Sequence, residues 1–190
     1  LATAPAMVGN VVLWKPARSV LLANYRIMQL LQEAGLPAGV INFLPFDGQY
    51  SDLMLRHPAF AGLHFTGSYE TLVHLWQRIG ECLPDYRNFP RIVGETGGKD
   101  FICAHPSADV EVLAVNAIRG AFEYQGQKCS AASRLYVPAT LWEPLKARLL
   151  TELPKVNVGA VEDLRISVGA LIGEGAYKKV LSYIEYARQQ

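Results

Sequence analysis

Short apolar runs rich in branched residues alternate along this chain with longer stretches of helical period. Asn10 to Trp14 (NVVLW), Val40 to Leu44 (VINFL), Gly62 to Phe65 (GLHF) and Arg91 to Val93 (RIV) read as strands. Between the first two, Ser19 to Ala34 places apolar residues at 21, 25, 28 and 31, with Ser19 as an N-cap and Gly35 and Pro37 as the stop. Between the third and fourth, Leu72, Leu75, Trp76 and Ile79 give the i, i+3, i+4, i+7 stripe of an amphipathic helix. Ser68 stands where that helix needs an N-cap.

Strand, helix and strand at this spacing predict an α/β fold with right-handed crossovers, a mostly parallel sheet and helices on its faces. Ligands of such sheets bind beyond the carboxyl ends of the strands. That singles out Lys15-Pro16, Gly67-Ser68 and Glu95. From Thr96-Gly97-Gly98 the texture changes, and a boundary there divides the chain into 1–96 and 97–190. The second part reads as a strand (Phe101 to Ala104), a helix (Asp109 to Glu123), a cysteine-bearing loop, a strand (Arg134 to Val137), a helix (Leu141 to Leu153) and a last helix. In that last helix Tyr177, Val180, Leu181 and Ile184 form the stripe expected to be buried, and Gly173-Glu174-Gly175 before it reads as a loop.

Composition narrows the function classes. Of 190 residues 51% are hydrophobic, enough for a core, yet no run approaches the ~18 apolar residues of a membrane span. The net charge is +1 and neither sign forms a block, which argues against a nucleic-acid surface. Cys82, Cys103 and Cys129 are odd in number and outside any CxxC, against a disulfide framework or a zinc knuckle. A reducing, intracellular setting follows. The four histidines form no HxxxH pair and no carboxylates cluster, so no metal site is expected. The chain opens Leu-Ala-Thr-Ala-Pro and stops within a helical pattern, as a piece of a longer protein does.

Four positions carry candidate chemistry. Cys129, in E-Y-Q-G-Q-K-C-S, has two readings from its residues: a small core hydrophobe, as free cysteines most often are, or a nucleophile on a polar turn where the adjacent Lys128 favours thiolate. Cys82 and Cys103 lie in apolar patterns and read as core. Glu95, ahead of two glycines in G-E-T-G-G-K, is either a solvated acid or a general base that activates water. Ser68 caps a helix whose N-terminus can also receive a phosphate. Lys15 is a strand-end cation able to reach a ribose or phosphate.

Taken together, W-K-P, F-T-G-S, G-E-T-G-G-K and G-Q-K-C-S occur in an order that resembles the aldehyde dehydrogenase superfamily along the whole chain. F-P-R-I-V-G-E-T-G-G-K-D-F and A-F-E-Y-Q-G-Q-K-C-S-A-A-S-R-L-Y-V-P resemble most the branch that oxidises L-glutamate gamma-semialdehyde to glutamate in proline degradation. The resemblance implies a Rossmann-like NAD-binding part at 1–96 and the start of an α/β catalytic domain at 97–190. It makes Cys129 the nucleophile and Glu95 the base. It assigns Lys15 and the segment Gly67, Ser68, Tyr69, Glu70 and Thr71 to NAD, and Ser130 to the substrate carboxylate. It further implies a small-molecule aldehyde substrate, no nucleic-acid or membrane partner, a homo-oligomer at full length, and a mitochondrial matrix or bacterial cytoplasmic location. Arg18 departs from the pattern, since many members carry there an acid that favours an unphosphorylated ribose; NAD is nonetheless the expected cofactor. A sister semialdehyde dehydrogenase and a non-catalytic nucleotide-fold piece stand as the alternatives.

Overall fold

A computed structural model describes residues 1–190. The chain divides into two compact units, Leu1–Thr96 and Gly97–Gln190.

The first unit holds four strands and four helices. After the short helix α1 (Thr3–Met7), β1 (Val12–Trp14) and β2 (Ile41–Phe43) pair in parallel, with α2 (Leu21–Glu33) as the crossover. A second parallel pair, β3 (Gly62–Gly67) and β4 (Arg91–Thr96), encloses α4 (Tyr69–Glu81), with α3 (Ser51–Leu55) ahead of it. All ladders are parallel, as expected. They form separate two-stranded sheets rather than one continuous sheet. β1 and β2 are cut to three residues each, and Pro16 and Pro45 follow closely behind them. A proline has no N–H to donate to a ladder.

The apolar stripe of α4 does what its period requires. Leu75 and Ile79 are buried with Leu55 of α3, and Phe60, Leu63, Phe65, Tyr86 and Ile92 pack around them. The Tyr86 hydroxyl donates to the Leu55 carbonyl at 2.5 Å, and burial pushes that phenol up to about 12. Asp52 of α3 takes two bonds from the Arg78 guanidinium of α4, at 2.7 and 2.9 Å. That cation holds the Asp52 carboxyl below its usual range.

The second unit pairs β5 (Phe101–Cys103) with β6 (Arg134–Tyr136) in parallel, through α5 (Val110–Phe122). α6 (Ala139–Glu152) packs on α5, and Leu113, Ala114 and Leu145 make the core between them, joined by Ile102, Leu135 and Leu149. α7 (Glu174–Arg188) follows an irregular stretch.

Several expectations change here. Ser19 lies inside a 3-10 turn, Arg18–Val20, and does not cap α2, because the chain begins to coil before that helix starts. Gly173-Glu174-Gly175 is no loop: Gly173 is the N-cap of α7, a position glycine fills well, and Glu174 and Gly175 open its first turn. The stripe of α7 is uncovered, with Tyr177 55% and Ile184 42% exposed. Cys103, read as core, is exposed because the side chains of β5 alternate and only Ile102 turns inward, whereas Cys82 is buried.

Candidate active site

In the first unit the ladder brings two of the expected positions together. Thr66 pairs with Glu95 and Gly67 with Thr96, at the carboxyl ends of β3 and β4. Both strands run further than their apolar runs suggested, so Glu95 and Gly67 lie within the last ladder pairs and not beyond them. The extension needs a bare backbone at Gly94, where a Cβ would collide with the Leu72 side chain of α4. Glu95 is exposed.

Directly after β3, Ser68 is extended (φ −74°, ψ 150°) and its Oγ accepts the Thr71 N–H at 3.2 Å. Its hydroxyl also shares a 2.9 Å hydrogen bond with Thr71 Oγ1. A cap of this kind satisfies one of the N–H groups that a helix start leaves unpaired. Tyr69, Glu70 and Thr71 are all exposed on that first turn, with Glu70 as its acid. Lys15 follows β1 in the other two-stranded sheet, so no ladder links it to Gly67; its ammonium donates to the Pro16 carbonyl at 3.1 Å. Arg18 meets Asp47 at 3.4 Å, both side chains largely exposed. Local sequence gave no sign of Asp47: the β1–β2 pairing brings it near.

In the second unit Cys129 is exposed and lies on an irregular turn between α5 and β6, not in the core. Its residues alone had left that choice open. Three backbone contacts frame the loop. Ala132 N–H donates to Gly120 at 2.9 Å and Ser133 N–H to Asp100 at 2.8 Å. Gly98 runs so close that a Cβ there would overlap the Cys129 carbonyl oxygen. Ser130, beside the cysteine, is exposed.

Lys128, adjacent to the cysteine in sequence, directs its charge elsewhere. Its ammonium pairs with Glu123 at 2.8 Å and lies 5.6 Å from the centre of the Tyr124 ring. The same contact holds the Glu123 carboxyl below its ordinary value. No group of three His, Cys, Asp or Glu side chains is gathered that could hold a metal ion, and no helix is long and apolar enough to cross a membrane.

The sequence reading took from the Gly97-Gly98 pair a boundary and a close backbone approach, but gave no role to Gln125 and Gln127. Their long-range partners lie more than 40 residues away, where local pattern carries no signal.

Strand-end groups on parallel β–α–β units, followed by a cysteine on a polar turn, match a known arrangement. The profile of the aldehyde dehydrogenase family fits residues 1–190, and the chain belongs to that family. Among curated relatives it is 46% identical over 190 residues to the mitochondrial delta-1-pyrroline-5-carboxylate dehydrogenase of Rattus norvegicus, covering 99% of this chain and 34% of the relative. It is 47% identical over 191 residues to the Dictyostelium discoideum protein of that name, with the same coverage. Among solved structures it resembles the Mycobacterium tuberculosis Delta-pyrroline-5-carboxylate dehydrogenase bound with NAD, at 49% identity and TM-score 0.95, covering 100% of this chain and 36% of that one. The Thermus 1-pyrroline-5-carboxylate dehydrogenase with bound NAD follows at 35% identity and TM-score 0.91, covering 100% and 37%. The chain thus spans about a third of the length of the relatives it matches.

Proposed function

We propose that a full-length protein carrying this sequence is an NAD-dependent dehydrogenase that oxidises L-glutamate gamma-semialdehyde, the open form of 1-pyrroline-5-carboxylate, to L-glutamate. The observation that carries the reading is the near-half identity to delta-1-pyrroline-5-carboxylate dehydrogenases across 99% of the chain. The exposed cysteine turn and the strand-end carboxylate support it.

The donors in the first unit suit an anionic dinucleotide. The capped N-terminus of α4 turns N–H groups and the positive end of its dipole outward at Gly67 to Thr71. Lys15 adds an ammonium at the end of β1, and Asp47 beside Arg18 supplies a carboxylate near the position where many family members carry one. When bound there, NAD supplies the hydride acceptor.

Cys129 then acts as the covalent catalyst. Its thiolate adds to the aldehyde carbon, giving a thiohemiacetal whose oxyanion takes a hydrogen bond from backbone N–H. Loss of hydride leaves a thioester on the same sulfur. Glu95 accepts a proton from water as that water attacks the thioester carbon; the C–S bond breaks, releasing the carboxylic acid and returning the thiolate. In this reading Ser130, exposed beside the cysteine, binds the substrate carboxylate.

In the same reading the protein works on a small-molecule aldehyde as a homo-oligomer. It resides in the mitochondrial matrix in a eukaryote, as the names of the eukaryotic relatives suggest, or in the cytoplasm of a bacterium.

The test is an assay of NAD reduction with glutamate gamma-semialdehyde, comparing the parent with Cys129→Ala and Glu95→Gln. Cys129→Ala should lower turnover by about 10⁴-fold or more while NAD still binds. Glu95→Gln should retain a burst of NADH equal to the enzyme present but turn over slowly, since only hydrolysis is impaired. Undiminished turnover in Cys129→Ala would end the assignment, and a preference for another semialdehyde would move it to a sister enzyme.

A further inference from the structure

The residues leading into the cysteine turn hold the backbone in an uncommon way. Tyr124 (φ 56°), Gln125 (φ 60°) and Gly126 (φ 68°) are left-handed in succession, and Tyr124 and Gln125 are the only non-glycine residues with positive φ in the chain. Side-chain-bearing residues avoid that region because Cβ crowds the following carbonyl oxygen. Such a conformation persists only where its surroundings over-determine it.

Those surroundings are a distant segment of the same unit. The Gln127 Oε1 accepts the Ile172 N–H at 3.0 Å, and its NH2 donates to the Tyr124 carbonyl at 3.3 Å. In one amide orientation the Gln125 Oε1 accepts from the Gln127 NH2 at 3.2 Å; in the other, which its neighbours favour, the oxygen faces the Gly169 N–H at 2.7 Å and the NH2 donates to the same Tyr124 carbonyl at 3.0 Å. Two side-chain amides therefore span from the N–H groups of 169 and 172 to one carbonyl of the left-handed turn.

The segment is itself anchored. Ser167 and Val168 N–H both donate to the Asn157 carbonyl, at 3.0 and 3.1 Å, and Gly159 N–H donates to Val168 at 3.1 Å. A Cβ on Gly169 would press on the Val161 side chain at 3.0 Å, so this backbone is already in close contact. On the other side of the loop, Gly98 abuts the Cys129 carbonyl. Local ties also hold the strained turn, since the Gln127 N–H donates to the Tyr124 carbonyl at 3.0 Å and Lys128 spans back to Glu123; the glutamine pair is what joins it to the distant segment.

We propose that Gln127, assisted by Gln125, is a positioning residue for Cys129: the two amides lock the 124–126 turn against residues 169–172 and so fix where the sulfur two residues later points. The inference rests on Cys129 being the nucleophile. Without the lock the turn relaxes toward right-handed backbone and takes the thiol with it, while the strand-end residues of the first unit keep their structure.

The experiment uses a full-length enzyme carrying this sequence, with Gln127→Ala, Gln127→Asn and Gln127→Glu. Alanine removes the bridge, and asparagine keeps an amide one methylene too short to span it. Each should lower kcat by about tenfold to a hundredfold, the scale of a misplaced reacting group, with KM for NAD unchanged. Glutamate keeps the acceptor for the Ile172 N–H but cannot donate to the Tyr124 carbonyl, so its kcat should fall with the shortened variants, by about tenfold or more. The asparagine variant decides the matter if the alanine variant does not fold. The proposal is overturned if kcat stays within about threefold of the parent in both shortened variants or in the glutamate variant, or if KM for NAD rises in step with the loss. A parent enzyme whose turnover does not depend on Cys129 overturns both this proposal and the functional assignment; a Cys129-dependent parent indifferent to Gln127 overturns this one alone.

Discussion

The turn that opens α4 and the turn that precedes Cys129 both present candidate functional groups, and they are held by opposite means. At Ser68 the backbone stays in ordinary regions, and the hydroxyl that secures the turn belongs to a residue three positions from its partner. At Tyr124–Gly126 the backbone is left-handed throughout, and its side-chain ties reach Gly169 and Ile172. The first turn forms wherever its helix forms. The second is tied within itself and also to residues 169 and 172, so part of its geometry depends on tertiary structure and is open to change from a distance. A general anion contact tolerates the first kind of construction. A nucleophile, whose reach must be right to a fraction of an ångström, calls for the second.

The contrast can be broken most forcefully at Gly98. Gly98→Ala drives a methyl group into the Cys129 carbonyl, a backbone atom that cannot swing aside. In a full-length enzyme this should cost about 1–3 kcal/mol of stability and about a hundredfold or more in turnover, read by thermal melting and NADH production. Normal turnover would mean that the cysteine loop yields freely, and the contrast with the Ser68 turn would disappear.

A smaller effect is expected at the first turn. Ser68→Ala removes the cap and should cost about 1 kcal/mol, lowering the melting temperature by about 2–4 °C, with turnover at saturating NAD little changed. A loss of turnover as large as that at Gly98 would show that the two turns are under the same constraint.

The smallest effect concerns the ion pair beside the cysteine. Lys128 holds the Glu123 carboxyl below its ordinary value of 4.5. A folded value below the unfolded one gives stabilisation that is complete above the unfolded value and is lost as pH falls through the folded one. Because the pair is solvent-facing, the gap in melting temperature between the parent and Glu123→Gln should be slight near neutrality and should close on acidification. A gap that persists in acid would show that Glu123 acts through packing.

The same contrast accounts for how much could be read from sequence. The cap at Ser68 was legible because it is satisfied by an N–H three residues on, and the α4 core because its period is local. The order of strands and helices was legible for that reason too. Periodicity shows that a helix has an apolar face but not what covers it, and for that reason Tyr177, Val180, Leu181 and Ile184 were expected inside and stand exposed. The division of the strands into separate pairs, the Arg18–Asp47 contact and the glutamine ties all depend on chain segments meeting across intervals that local patterns do not encode. Cys129 could be singled out only with the help of its order among the other motifs, since its own neighbourhood suits a buried thiol as well as a reactive one.

The contact at Gly98 also bears on how such a loop can diversify. With no room for a side chain against the Cys129 carbonyl, and with the preceding turn committed to two amide ties, mutation on those flanks is penalised before it can alter selectivity. Ser130, exposed and outside both restraints, is the position beside the sulfur where new side chains can be tried. Under the function proposed above, substitutions that change the preferred aldehyde are therefore expected after the cysteine, with its approach side kept still.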